Sequence, residues 1–187
     1  LFRSEGSDAD SIVVAAVTVD TNGGNLELRS DDVDLSAGPT LISTGGAAQA
    51  LFAAETAATT SGVGSGAAGT LNLTEAELQT VGADFTDLVI GLSGAQTGAI
   101  TVDDNSSLIL SNTNLVVYAN GTNGSFTQAT DTAIDLSGTA GLALTIEGDG
   151  DGTGGTTLGA NIDTQGGAVL VNDAVTLSGA VTVTTTN

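Results

Sequence analysis

The residues of this chain best placed for chemistry are acidic. In Glu147-Gly148-Asp149-Gly150-Asp151-Gly152-Thr153-Gly154-Gly155, three acids stand on alternate positions, separated by glycines that let the backbone curl around an ion. The cation such a loop would take is calcium, a hard ion that collects many oxygen ligands, here from Glu147, Asp149 and Asp151. The run departs from the known calcium loops. The closing position of an EF-hand loop counted from Asp149 falls on Ala160 instead of Glu, and the Gly-Gly-x-Gly-x-Asp nonapeptide does not repeat. The alternative reading is a solvated acidic loop without an ion.

Paired carboxylates are the second candidate, because two acids flanking a glycosidic bond can hydrolyse it. Asp31 with Asp32, Asp84 with Asp87, and Asp103 with Asp104 are the pairs on offer. Neighbouring residues of a strand point to opposite faces, so adjacent acids are expected as solvated corner residues. A sugar-cleaving groove would also need aromatic platforms, and the aromatics are only Phe2, Phe52, Phe85, Phe126 and Tyr118. With no His and no Cys, the commonest general base, transition-metal ligands and thiol nucleophile are missing too. No catalytic residues are expected.

Four sequons, beginning at Asn72, Asn105, Asn120 and Asn123, could accept glycans in a suitable host, but such motifs also arise by chance in a chain rich in Asn and Thr. The threonines of the run from Val181 to Thr186 invite an ice-binding reading; only one stretch shows them clearly, and a stacked polar ladder accounts for them.

The formal charge is −20, from 22 acids against Arg3 and Arg29 alone. Phosphate contacts need cations, so nucleic acid is excluded as a partner, and an anionic membrane surface would repel the chain. No apolar run is long enough for a membrane-spanning helix, so no membrane insertion is expected. The start, from Leu1 to Asp10, has neither an initiator Met nor signal-peptide features, and reads as a mature or excised piece.

The elements that must position these residues are short strands. Alternation marks Ile12 to Asp20, Asn25 to Leu28, Asp32 to Leu35, Ala99 to Val102, Ser107 to Leu110 and Val181 to Thr185, with Gly, Asn, Asp and Ser between them. The apolar residues are mostly Ala, Val, Leu and Ile, which suit a narrow, regular interior. The segment Gly23 to Thr44 echoes Gly166 to Thr186: Gly-Gly, strand, polar corner, strand ending in Leu-Ser, small-residue turn, Thr-rich strand. Gly98 to Gly121 repeats the plan. Three strands in a unit of about 20 to 25 residues describe one coil of a parallel β-helix, and about seven to nine coils would fit the chain. The competing fold is a β-sandwich, in which Asn120-Gly121 and Asn123-Gly124 would turn antiparallel hairpins.

Two stretches break this pattern. The segment from Gly45 to Gly69 reads as an excursion from the coil, with a short helix over Ala47 to Ala58 that turns Leu51, Phe52 and Ala54 inward. Thr74 and Glu77 form a capping box that predicts one or two helical turns, with Leu73 and Leu78 packed on the solenoid.

In Gly23 to Thr44, in Gly69 to Leu78 leading into Thr97 to Val102, and in Leu158 to Asn187, the chain resembles the repeat regions of large bacterial exoproteins of the filamentous-haemagglutinin-like and autotransporter-like type. The resemblance covers less than half of the chain. It implies an all-β, right-handed parallel β-helix, export to the cell surface and roles in adhesion, matrix or filament building, and it carries over no catalytic residues. The expectation is one non-catalytic solenoid segment over 1–187, secreted, self-associating through β edges at its coil ends and meeting host or cell-surface glycans or matrix. The alternatives are a calcium-dependent surface-layer component and a carbohydrate-active β-helix enzyme.

Overall fold

The computed structural model describes residues 2–3, 11–149 and 154–186. Among them the strands form seven successive coils. The first holds β1 (Phe2–Arg3), β2 (Ser11–Val13) and β3 (Thr18–Asp20), and the second β4 (Leu26–Arg29), β5 (Asp32–Asp34) and β6 (Thr40–Ile42). The third holds β7 (Ala48–Ala53), β8 (Ser61–Val63), β9 (Leu71–Leu73) and the helix α1 (Glu75–Leu78). In the fourth are β10 (Phe85–Ile90), β11 (Ile100–Val102) and β12 (Ser107–Ile109), and in the fifth β13 (Asn114–Ala119), β14 (Phe126–Gln128) and β15 (Ala133–Asp135). The sixth has β16 (Leu144–Gly148), β17 (Thr156–Leu158) and β18 (Ile162–Asp163); the seventh has β19 (Val169–Asn172), β20 (Val175–Leu177) and β21 (Val183–Thr184).

Each strand except β9 pairs with its counterpart one coil away, β9 pairs with β8 of its own coil, and every pairing among the described residues is parallel. Face A runs β1-β4-β7-β10-β13-β16-β19, face B runs β9-β8-β11-β14-β17-β20, and face C runs β12-β15-β18-β21. The pairs β2-β5 and β3-β6 supply the N-terminal ends of faces B and C. This is a parallel solenoid and not a sandwich, and Asn120-Gly121 and Asn123-Gly124 lie in a corner between β13 and β14 instead of in hairpins. Partner residues on face A, from Phe2–Leu28 through Leu26–Ala50, Ala50–Leu88, Leu88–Leu115 and Leu115–Leu144 to Leu144–Val169, recur after 26, 24, 38, 27, 29 and 25 residues. The coils are therefore mostly longer than the expected unit, and their number is at the lower end of the expected range.

In-register pairing stacks like on like. Leu26, Ala50, Leu88, Leu115, Leu144 and Val169 form one inward column of face A, and Leu28, Phe52, Ile90, Val117, Ile146 and Val171 form the next. Face B adds Ile100 against Phe126, and face C adds Leu108, Ile134 and Ile162. The result is one continuous apolar core, with side chains about 4.8 Å apart along each column. Phe52, Phe85 and Phe126 are fully buried in it.

The segment expected to be helical over Ala47 to Ala58 is instead a strand. Ala48, Ala50 and Phe52 face inward and Gln49 and Leu51 outward, an alternation that β7 satisfies by pairing with β4 on one side and β10 on the other. Neighbours on both edges outweigh the helix propensity of alanine. Phe52 and Ala54 are buried as expected, whereas Leu51 points out. With β7 on face A and β8 on face B, the segment from Gly45 to Gly69 is part of the coil. The long strand expected over Ile12 to Asp20 is broken into β2 and β3 by a corner at Ala15 and Ala16.

The capping box of Thr74 and Glu77 forms as the sequence specifies, and Leu73 and Leu78 are buried. Helix α1 takes the place of the third coil's strand on face C, leaving only a bridge from Leu41 to Val81. Two glutamates replace the missing strand's acceptors. Glu77 Oε1 accepts from Leu35 N at 2.9 Å while its Oε2 accepts from Thr74 N, and Glu75 Oε2 accepts from Ile109 N at 2.8 Å. Gln79 Nε2 and Asn112 Nδ2 complete the seam by donating to the Ile109 and Val81 carbonyls. Glu77→Ala leaves the Leu35 and Thr74 amides without an acceptor and is expected to cost about 2 kcal/mol in urea unfolding, with Glu77→Gln costing less. Wild-type stability in Glu77→Ala would show that the carboxylate does not substitute for strand pairing.

Candidate functional site

The acids are placed by the corners of the coil. At the ends of β3, β5, β15 and β18, and just after β11, an Asp carboxylate turns back to accept from the N–H two residues on. These are Asp20 from Asn22, Asp34 from Ser36, Asp135 from Ser137, Asp163 from Gln165 and Asp103 from Asn105. Such Asx turns satisfy backbone donors that leave the strand pairing at each bend. Asn22, Asn105 and Gln165 then adopt positive φ, and Gly23 and Gly166 follow in the same region, which is why Asp-Thr-Asn-Gly-Gly and Asp-Thr-Gln-Gly-Gly close the first and sixth coils. At Gly167 the coils approach so closely that a Cβ would stand 1.8 Å from the Leu142 carbonyl oxygen.

The carboxylate pairs do not converge on a groove. Asp104 accepts from Ser65 N at 2.6 Å and Asp31 from Glu55 N at 3.1 Å. Asp87 belongs to a ladder along face A: Gln49 Nε2 donates to one of its oxygens and Asn114 Nδ2 to the other, at 3.0 and 2.9 Å. Asn25 Oδ1 and Asn114 Oδ1 extend the ladder by accepting from Gln49 N and Ala143 N. Asp84, its proposed companion, is exposed at the turn into β10. Inside the coil, the buried amides of Gln96 and Gln128 donate to corner carbonyls of Thr59, Gly98, Thr132 and Asn161.

Of the three residues expected to hold calcium, Asp151 lies outside the described residues. Glu147 is on the outer side of β16, accepting from Asn172 Nδ2 at 2.9 Å, and Asp149 accepts from Asn123 N at 3.2 Å. Among the described residues no three acids come together as a metal-binding group.

No family model matches this chain, and no curated protein or solved structure proves similar to it.

What stands out on the surface is apolar and lies on the outermost coils. On the first, Val13 is 65% and Val17 51% exposed, beside a concavity of about 270 Å³ lined by Ile12, Val14, Val19, Leu26, Leu28 and Leu41. On the seventh, Leu170, Val175, Leu177 and Val183 are all exposed, Leu177 at 61%. Among the described residues β19, β20 and β21 have a paired neighbour on one side only. These are the coil-end edges that the sequence reading singled out. No helix is long and apolar enough to cross a membrane among the described residues.

Two corner acids carry a pH signature. The Thr44 hydroxyl, joined by the Asn22 and Thr44 amides, holds the Asp20 carboxyl below its ordinary value, and the Ser36 hydroxyl and amide do the same for Asp34. Because both values are lowered on folding, the stability these corners contribute is complete above the ordinary aspartate range and is lost as pH falls through it towards the lowered values. Asp20→Asn combined with Asp34→Asn is expected to flatten the acid limb of a plot of melting temperature against pH below about pH 4. An acid limb as steep as that of the wild type would assign the lability to other acids.

Proposed function

We propose that this chain is a non-catalytic structural or adhesive module of a secreted bacterial surface protein, a stiff rod segment joined end to end with further coils. The observation that supports this reading is the exposed apolar surface of the first and seventh coils, set beside strand edges. A coil laid on either edge would cover Ile12, Val14 and Val19 at one end, or Val175, Leu177 and Val183 at the other, and would satisfy the edge amides and carbonyls. The use of acids as corner and ladder acceptors supports the non-catalytic half of the reading. Export to the cell surface follows from the resemblance to large exoproteins. Glycans or matrix polymers as partners rest on that resemblance alone.

The test is electron microscopy of the purified chain over a concentration series, with and without EGTA. Rods that lengthen along the coil axis with concentration, and that Leu177→Asp shortens, are the expected result in both conditions. Single monodisperse particles throughout would overturn end-to-end joining. Rods lost on adding EGTA would move the joint from the apolar edge to the loop of Glu147, Asp149 and Asp151.

A further inference from the structure

Face B carries on its outer surface a row of threonines that their spacing in the chain conceals. Thr101 pairs in register with Thr127, Thr127 with Thr157 and Thr157 with Thr176, although 26, 30 and 19 residues separate them. In β11, β14 and β17 the threonine is the part-exposed middle residue between two buried ones, and in β20 it is exposed with its strand. None of the four hydroxyls has a hydrogen-bond partner among the described residues. β-Branching restricts χ1, so the row presents its hydroxyl and methyl groups with little rotational freedom.

On coils five to seven the positions flanking the row are small and uncharged. Two residues before Thr127, Thr157 and Thr176 stand Ser125, Gly155 and Ala174, and two residues after them stand Ala129, Gly159 and Ser178. On coils five to seven none of these positions is charged, in a chain of net charge −20; Asp103 stands at the edge of the row on coil four. A strip with hydroxyls repeating about every 4.8 Å is the outcome.

We propose that this threonine row is an ice-binding face. The repeat is fixed by backbone pairing and lies close to that of equivalent oxygens along the a axis of hexagonal ice, so waters held by successive hydroxyls are spaced nearly as in the crystal. Methyl groups between them and the uncharged flanks of coils five to seven keep competing, tightly bound hydration shells off the strip. A polysaccharide surface is a poorer match, since the strip offers no aromatic ring for a sugar to stack on. The inference stands independently of end-to-end joining, because the row lies on the side of the rod.

Partition of the full chain into a slowly growing ice front, read together with inhibition of ice recrystallisation, tests it. Wild-type chain is expected to enter the ice and to slow recrystallisation. Thr127→Tyr and Thr157→Tyr, which raise a bulky ring from the strip, should lose both effects while keeping the wild-type melting temperature. Thr157→Val keeps the shape and tests the hydroxyl should a tyrosine variant fail to fold. Thr145→Tyr, on the outer side of face A, should retain full activity. Exclusion of the wild-type chain from ice would overturn the proposal, as would equal losses in the face A and face B variants. If sedimentation shows the tyrosine variants dispersing a side-by-side pair while ice partition is absent, the face binds a second copy and the proposal is likewise overturned.

Discussion

Everything in this solenoid depends on parallel pairing between each strand and its counterpart one coil away. Parallel neighbours hold the backbone at a fixed separation and place residues of equal rank directly over one another. An inward residue is therefore stacked between its equivalents above and below, which is how a core with few aromatics is filled: columns are mostly Leu, Ile, Val and Ala, and Phe52 and Phe126 have smaller neighbours such as Ala50 and Thr156. The same rule generates the Gln49, Asp87 and Asn114 ladder. One constraint thus produces both the dry interior and the ordered exterior.

Pairing of this kind can continue only if each coil turns through similar corners, and the corners explain the composition. Aspartate side chains take over backbone donors at the bends, and Asn, Gln and Gly supply the left-handed residues that follow. Five of the acids that give the chain its charge, Asp20, Asp34, Asp103, Asp135 and Asp163, are used in this way. Where the pattern is interrupted, at α1, glutamate side chains do for Leu35 and Ile109 what carbonyls do elsewhere.

Much of this was legible in the sequence. The echo of Gly23 to Thr44 in Gly166 to Thr186 corresponds to the second and seventh coils, and Thr74 with Glu77 announced α1. The segment from Ala47 to Ala58 misled because alanine is compatible with either state locally, and the strands that decide the matter, β4 and β10, lie 24 and 38 residues away in the chain. The threonine row was hidden for a related reason: coil length varies, so residues that share a column share no fixed interval. Acid pairs adjacent in sequence drew attention as chemistry, but Asp103 and Asp104 are committed to separate backbone amides of one corner region.

Helix α1 also sets how the rod would respond to force. Among the described residues face A alone runs as an unbroken sheet through all seven coils, whereas faces B and C are each divided near the third coil, where β2-β5 and β3-β6 stop short of the longer sheets. In an array stabilised by nearest-neighbour contacts, the joint between the second and third coils, with one continuous sheet, a side-chain seam at Leu35 and a short backbone bridge at Leu41, yields before its neighbours do. Pulled from its two ends, the rod would part there first, releasing the first two coils as a block while the remaining stack stays closed. A longer array of coils interrupted in the same way would carry one extensible link at each such helix.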